Sequence, residues 1–179
     1  MELKGSRVVM RAWRKSDAAE LFRIANNIKI AGNMVYNFPY PYSLKDAESW
    51  IRMANVGEKK GKNFAIEFEG VLVGGAGFDM NKDLYEGTAT GGYWLGEEFW
   101  GKGIATEAWG VIRDYVFENF NIRRLGAWTC SWNPVSMRVQ EKCGFKKESC
   151  LRKAIIRLGR VGDMIQYGMT REDWEVLKK

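Results

Sequence analysis

The sequence predicts an α+β chain, a mixed β-sheet with helices packed against it. Three observations carry that expectation. Short alternating segments joined by Glu69-Gly70 and Leu158-Gly159 read as antiparallel hairpins. One long segment, Ile104 to Asn119, repeats its apolar residues near helical spacing. Further helical stretches interrupt the series of strands, which gives a mixed sheet rather than a pure hairpin stack.

In chain order, Arg7 to Arg14 alternates as a strand, within a start (Met1 to Met10) that alternates charged and apolar residues. Ser16 offers an N-cap for a helix from Asp17 to about Asn27, with Leu21, Ile24 and Ala25 on one face. Gly32 to Tyr42, with Pro39 and Pro41, reads as loop. Ser43 and Asp46 form a capping box for a helix through Trp50, Ile51 and Ala54. Phe64, Ile66 and Phe68 share one strand face, Val71 to Phe78 returns, and Thr88 to Leu95 follows as a third strand. After the long helix come a strand at Arg124 to Ser131 and a short helix at Val135 to Lys142. Two strands, about Glu148 to Ile156 and Arg160 to Met169, precede a Thr170–Asp173 capping pair and a last helix.

With no linker, repeat or low-complexity tract, residues 1–179 read as a single domain. A 46% hydrophobic fraction supplies its core, and no apolar run approaches the roughly 20 residues of a membrane-spanning helix. A cytoplasmic location without membrane attachment is the expectation. The chain has no histidine and only three cysteines, Cys130, Cys143 and Cys150, with no Cys-x-x-Cys pair. That composition removes imidazole-ligated metals and every hydrolase scheme that needs a histidine base. It also leaves no side chain that titrates near neutrality unaided. A net charge of +6 favours anionic ligands. The basic residues come in short groups (Lys59, Lys60, Lys62; Arg123, Arg124; Lys146, Lys147; Arg152, Lys153) without a nucleic-acid motif, so direct nucleic-acid binding is not expected.

The chemistry concentrates between Tyr93 and Thr106, where a strand passes through Gly101 and Gly103 into the long helix. A helix N-terminus has unpaired amides and a partial positive charge. Glycines at its approach let a phosphate reach those amides, Thr106 adds a hydroxyl, and Lys102 a cation. The letters match neither a P-loop nor a Rossmann fingerprint, which would need a third glycine at Thr106. By itself the segment also fits an ordinary glycine turn before a helix. Downstream, Asn133-Pro134 suits an N-cap and first helical residue, and Gly144 a helix C-terminus.

Together the two segments resemble the GNAT superfamily of acetyl-coenzyme A-dependent N-acetyltransferases. Its cofactor loop, Gln/Arg-x-x-Gly-x-Gly/Ala, matches at Gly103 and Ala105, whereas Trp100 departs from the first position. Asn133, Ser136, Glu141, Lys142, Gly144 and Phe145 match its downstream elements. The Pro-Tyr segment Phe38 to Tyr42, Asp163 and Thr170 to Trp174 resemble the branch with ribosomal-protein N-terminal acetyltransferases, so the likeness runs from Arg11 to Trp174.

The resemblance implies a GNAT-like twisted mixed sheet with splayed central strands, helices on both faces, and acetyl-coenzyme A in the gap. It implies that the amides of the Gly101 to Thr106 stretch, namely Lys102, Gly103, Ala105 and Thr106, hold the pyrophosphate. Main-chain groups of Leu95 and Glu97 would hold pantetheine, and Asn133 its arm. For direct attack by a neutral amine, the Leu95 N–H would stabilise the oxyanion. Ser136 would serve the leaving thiolate. Glu97, Glu98 and Glu148 are the candidate proton acceptors, through water; a route through Cys130 or Cys143 lacks an activating neighbour. Near neutrality roughly one α-amine in ten is neutral, against about one lysine in 2,500, so an N-terminal acceptor needs little help. The acceptors left open are a protein N-terminus, a small amine with a compact acidic pocket near Tyr40, Tyr42 and Glu97–Glu98, or none in a non-catalytic binding module. Eight tryptophans make a homodimer a further expectation.

Overall fold

The computed structural model describes residues 1–35, 37–55 and 61–179; Lys59 and Lys60, counted above among the basic groups, lie outside them. Eight strands form one mixed sheet: β1 (Glu2–Lys4), β2 (Val8–Arg11), β3 (Gly61–Phe68), β4 (Val71–Met80), β5 (Thr88–Leu95), β6 (Arg124–Cys130), β7 (Lys146–Arg157) and β8 (Arg160–Thr170). Their spatial order is β1-β2-β3-β4-β5-β6-β8-β7. Every neighbouring pair is antiparallel except β5 and β6. The helices are α1 (Ala18–Ala25), α2 (Ile28–Ala31), α3 (Leu44–Ala54), α4 (Ile104–Asn119), α5 (Pro134–Lys142) and α6 (Arg171–Leu177).

Both two-residue turns place two consecutive residues at positive φ: Glu69 and Gly70 at 53° and 78°, Leu158 and Gly159 at 48° and 77°. That conformation matches the twist of the strands it joins. Ser43 Oγ accepts from the Asp46 amide at 3.2 Å while Asp46 Oδ2 accepts from the Ser43 amide at 2.8 Å, closing the expected capping box of α3. Thr170 and Asp173 repeat the arrangement at α6.

Alternation along the strands sends side chains to two cores. On one face Phe64, Ile66, Val73 and Phe78 pack under α4, whose Trp109, Ile112 and Val116 are fully buried, with α5 and α6 alongside. On the other, Ala65 and Leu72 meet Trp13, Leu21 and Ala25 from the α1 side and Ala47 and Ile51 from α3. Helices therefore cover both faces, as expected.

Ser16 is not the cap of the first helix. A 3-10 turn over Lys15–Asp17 leads into α1, and the Asp17 carboxylate takes the capping role, accepting from the Arg14 amide at 2.7 Å. Arg11 holds that carboxylate through a bidentate pair at 2.7 and 2.9 Å and reaches Glu67 at 2.8 Å. Arg11 and Asp17 are both buried, so removing either partner costs about 3–5 kcal/mol. The helix also stops at Ala25, because Asn27 caps a separate turn, α2, by accepting from the Lys29 amide at 2.9 Å.

Candidate functional site

The sheet opens at the junction of β5 and β6, the parallel one among the described strands. β5 and β6 pair at Thr88–Arg124, Ala89–Leu125 and Thr90–Gly126, and no further. Beyond that point β5 stays paired with β4 to Leu95, and β6 with β8 to Cys130. Each strand keeps its outer partner and loses the inner one, so the central strands splay. Trp109, fully buried, lies against β5 where pairing stops: a Cβ on Gly91 would stand 2.9 Å from its ring.

The register fixes which backbone groups face the gap. Gly96 N–H donates to Val73 O at 2.9 Å, so alternate residues of β5 bond to β4. Leu95 and Tyr93, one and three residues earlier, therefore aim N–H and C=O into the gap. The Leu95 carbonyl accepts from the Trp100 indole at 2.9 Å. The residue that departs from the family motif thus ties the loop back to the strand end.

From Leu95 the chain turns through a 3-10 segment, Glu97–Phe99, into the loop before α4. Gly101 and Gly103 have φ of 75° and 78°, and Gly103 caps α4 with no side chain. The first α4 bond is Glu107 N–H to Gly103 O at 3.1 Å. The amides of Ile104, Ala105 and Thr106 precede that bond and so have no acceptor within the helix. Nothing stands within 4 Å of a Cβ built on Gly101, and only the Arg7 guanidinium, at 3.3 Å, approaches one on Gly103. This open, donor-rich cradle fits a diphosphate. Arg7 borders it, bonded to Lys102 O at 3.2 Å and paired with Glu107 at 3.1 Å.

Across the gap, Asn133 accepts from the Ser136 amide at 3.1 Å, capping α5. Ser136 Oγ lies 2.9 Å from the Tyr93 hydroxyl. Burial pushes the Tyr93 phenol well above its ordinary pKa, which keeps it protonated. The Tyr93–Ser136 contact links β5 to the helix following β6, spanning the opening. Tyr93 was legible in principle, since period two puts it on the Leu95 side of the strand.

The three suggested proton acceptors are all engaged. Glu97 binds Lys29 and, at 2.7 Å, Asn27; the Lys29 bond first, then Asn27, holds its carboxyl below the usual range. Glu98 pairs with Arg23 at 2.6 Å, and Glu148 with Arg124. The thiols fare no better as nucleophiles. Cys130 and Cys143 are buried, and burial pushes Cys143 up to about 12; Cys150 is exposed.

On the sheet face opposite α4 lies a cleft of about 560 Å³. Gly77 and Gly92, which are register partners, line its floor, and among the described residues a Cβ on Gly92 would meet nothing within 4 Å. Trp50, Trp94, Trp128, Phe38 and Tyr42 stand in its walls. The loop before α3 closes one side, held by Arg157 donating to Ala31 O at 2.7 Å and Phe38 O at 2.6 Å, and by Trp132 donating to Gly32 O at 3.3 Å. Among the described residues the lining contains two carboxylates, Asp46 and Asp79, and no lysine or arginine. Tyr42 lines this cleft, whereas Tyr40, Glu97 and Glu98 do not. Among the described residues no cluster of His, Cys, Asp or Glu could hold a metal, and no helix is long and apolar enough to cross a membrane.

A splayed β5–β6 pair with a side-chain-free cradle between strand and helix defines an acetyl-group transferase architecture, and comparison with known proteins agrees. Residues 7–146 match the acetyltransferase (GNAT) domain family, and the chain belongs to that family. It is 31% identical over 140 residues to the SPbeta prophage-derived uncharacterized N-acetyltransferase YokL of Bacillus subtilis (strain 168), covering 76% of each chain. It is 33% identical over 95 residues to the putative ribosomal N-acetyltransferase YdaF of the same organism, covering 53% of this chain and 52% of that one. Among solved structures, the Microcin C7 self-immunity acetyltransferase MccE, in complex with acetyl-CoA and AMP, superposes with a TM-score of 0.80 at 26% identity, over 92% of this chain and 93% of that one. The protein is an N-acetyltransferase of the GNAT family, and the ribosomal-type branch is represented among its relatives.

Proposed function

We propose that the protein transfers acetyl from acetyl-coenzyme A to the α-amine at the N-terminus of a protein or peptide. The observation that carries this reading is the state of the carboxylates near the gap: Glu97 and Glu98 are ion-paired, and the chain has no histidine. An acceptor that sheds its own proton near neutrality suits such a site. An α-amine, with a pKa of about 7.7–8.0, does so far better than a lysine at about 10.4. The name of YdaF points the same way. A cytoplasmic place of action belongs to the same reading.

Acetyl-coenzyme A, when bound, supplies the activated acetyl thioester. The amides of Gly101, Lys102, Gly103, Ala105 and Thr106 hold its diphosphate, and Lys102 adds positive charge. Main-chain groups of Leu95 and Glu97 hold the pantetheine, with Asn133 on the opposite side. Leu95 N–H, aimed into the gap, would donate a hydrogen bond to the acetyl oxygen and stabilise negative charge there; one such donor is worth about 2.7–4 kcal/mol. With the Tyr93 hydroxyl donating across their 2.9 Å contact, Ser136 Oγ would be left to donate its proton toward the thioester sulfur. Glu97 serves through its main chain alone, its carboxylate being tied to Lys29 and Asn27.

A small amine is the second reading, favoured by the aromatic enclosure of the cleft. Thiol release from acetyl-coenzyme A with a free-N-terminus peptide, and its loss when that terminus is blocked, tests the first reading. Turnover that survives blocking overturns it.

A further inference from the structure

The cleft differs in charge from the molecule around it. The chain carries 28 Lys and Arg against 22 Asp and Glu. Yet among the described residues the cleft presents Asp46 and Asp79 with no cationic side chain. These two carboxylates are not equivalent. Asp46 is committed to Ser43, accepting from its amide at 2.8 Å and its hydroxyl at 2.5 Å. Asp79 is exposed at the end of the cleft and has no ion pair or hydrogen bond from a side chain among the described residues; desolvation by its neighbours raises its carboxyl above the ordinary value. A carboxylate at the mouth of an aromatic cleft, without a cationic partner among the described residues, is stabilised by a cation, through both charge and ring faces.

Register says which part of an acceptor that cation belongs to. Asp79 pairs across the sheet with Thr90, three residues before Tyr93 and five before Leu95 on β5. At about 3.4 Å per residue, Asp79 stands roughly 10–17 Å from the amides that face the gap. That is beyond direct proton transfer, which needs about 2.6–3.2 Å. Asp79 is therefore not the base for the reacting amine. Two extended residues span about 7 Å, and a lysine or arginine stem covers the remainder.

We infer that the Asp79 end of the cleft is a subsite for a second positive charge, so that the favoured acceptor is a peptide with lysine or arginine at its second or third residue. The inference rests on the α-amine reading above and adds to it a sequence preference. Trp50, Trp94 and Trp128 flank the passage between the two ends and hold the intervening apolar atoms.

The test uses the full chain, acetyl-coenzyme A and three peptides of otherwise identical sequence beginning Ala-Lys, Ala-Ala and Ala-Glu, with kcat/KM read by thiol release. The lysine peptide is expected to exceed the alanine peptide by roughly two- to fivefold, the return from one exposed ion pair. Asp79→Asn brings that ratio close to one, and Asp79→Lys moves the preference to the glutamate peptide. Equal rates with the three peptides, or a lysine preference that persists in Asp79→Asn, overturns the subsite and leaves the α-amine reading standing. Turnover of 1,5-diaminopentane with none of any peptide overturns both.

Discussion

Replacing Gly103 by glutamate separates the two properties assigned to the cradle, its backbone conformation and its charge. Gly103 sits at φ 78°, a region that costs an L-residue about 1–2 kcal/mol. Alanine there adds a Cβ 3.3 Å from the Arg7 guanidinium, a long side chain free to swing aside. Gly103→Ala should therefore lose about 1–2 kcal/mol of stability with a modest effect on coenzyme affinity. Glutamate adds a negative charge within about 4–8 Å of the diphosphate position. At an effective dielectric constant near 20, each unit–unit repulsion over that range is about 2–4 kcal/mol. The difference between the two variants should then be roughly 30- to 700-fold in coenzyme A affinity. Calorimetric titration of both variants, with thermal unfolding to confirm that each is folded, measures the two effects separately. A folded Gly103→Glu protein that binds coenzyme A as tightly as Gly103→Ala would refute the placement of the diphosphate at this helix start.

Three shorter predictions follow from the same geometry. Ser136→Ala should lower kcat more than it weakens coenzyme binding, measured by steady-state kinetics beside calorimetry; the opposite pattern would make Ser136 a binding residue. Burial raises the Glu107 carboxyl, but the Arg7 and Val8 amides and the Arg7 guanidinium outweigh it and leave its pKa lowered. A depressed acid contributes stability above its unfolded pKa and loses it as pH falls through the folded value. Wild type should therefore lose more stability than Glu107→Gln on acidification below about pH 4.5, and parallel urea curves down to pH 3 would contradict the pairing. Of the three thiols, Cys150 should react quickly with a maleimide in the native protein while Cys130 and Cys143 react only on unfolding; mass spectrometry of the labelled peptides decides it.

Much of the fold could be read from local letters where a single physical signal dominated. Thr88–Leu95 and Ile104–Asn119 have the bounds expected from alternation and helical spacing. Both hairpins turn where glycine permits positive φ. Elements decided by side chains outside the element itself were not legible: Ser16 looked like a cap, but Arg11, on β2, recruits the Asp17 carboxylate instead. The four residues of α2 are too few to show a period, and β1, three residues long, is defined by its pairing with β2. At the site, the glycines and the strand end stood out because backbone chemistry depends on them directly. Glu97 read as a free carboxylate because nothing local announces Lys29 or Asn27, about seventy residues upstream. Asp79 passed unnoticed because only folding places it in the lining of an aromatic cleft that, among the described residues, holds no lysine or arginine.

Arg157 joins two regions that are far apart along the chain, the tip of the β7–β8 hairpin and the carbonyls of Ala31 and Phe38. The loop that closes one side of the cleft hangs from a hairpin that, among the described residues, supplies none of the cleft's lining. Substitutions at the hairpin's tip therefore act on the cleft's wall, whereas those nearer Asp163, which is bonded to Ser131, act on the approach to Asn133.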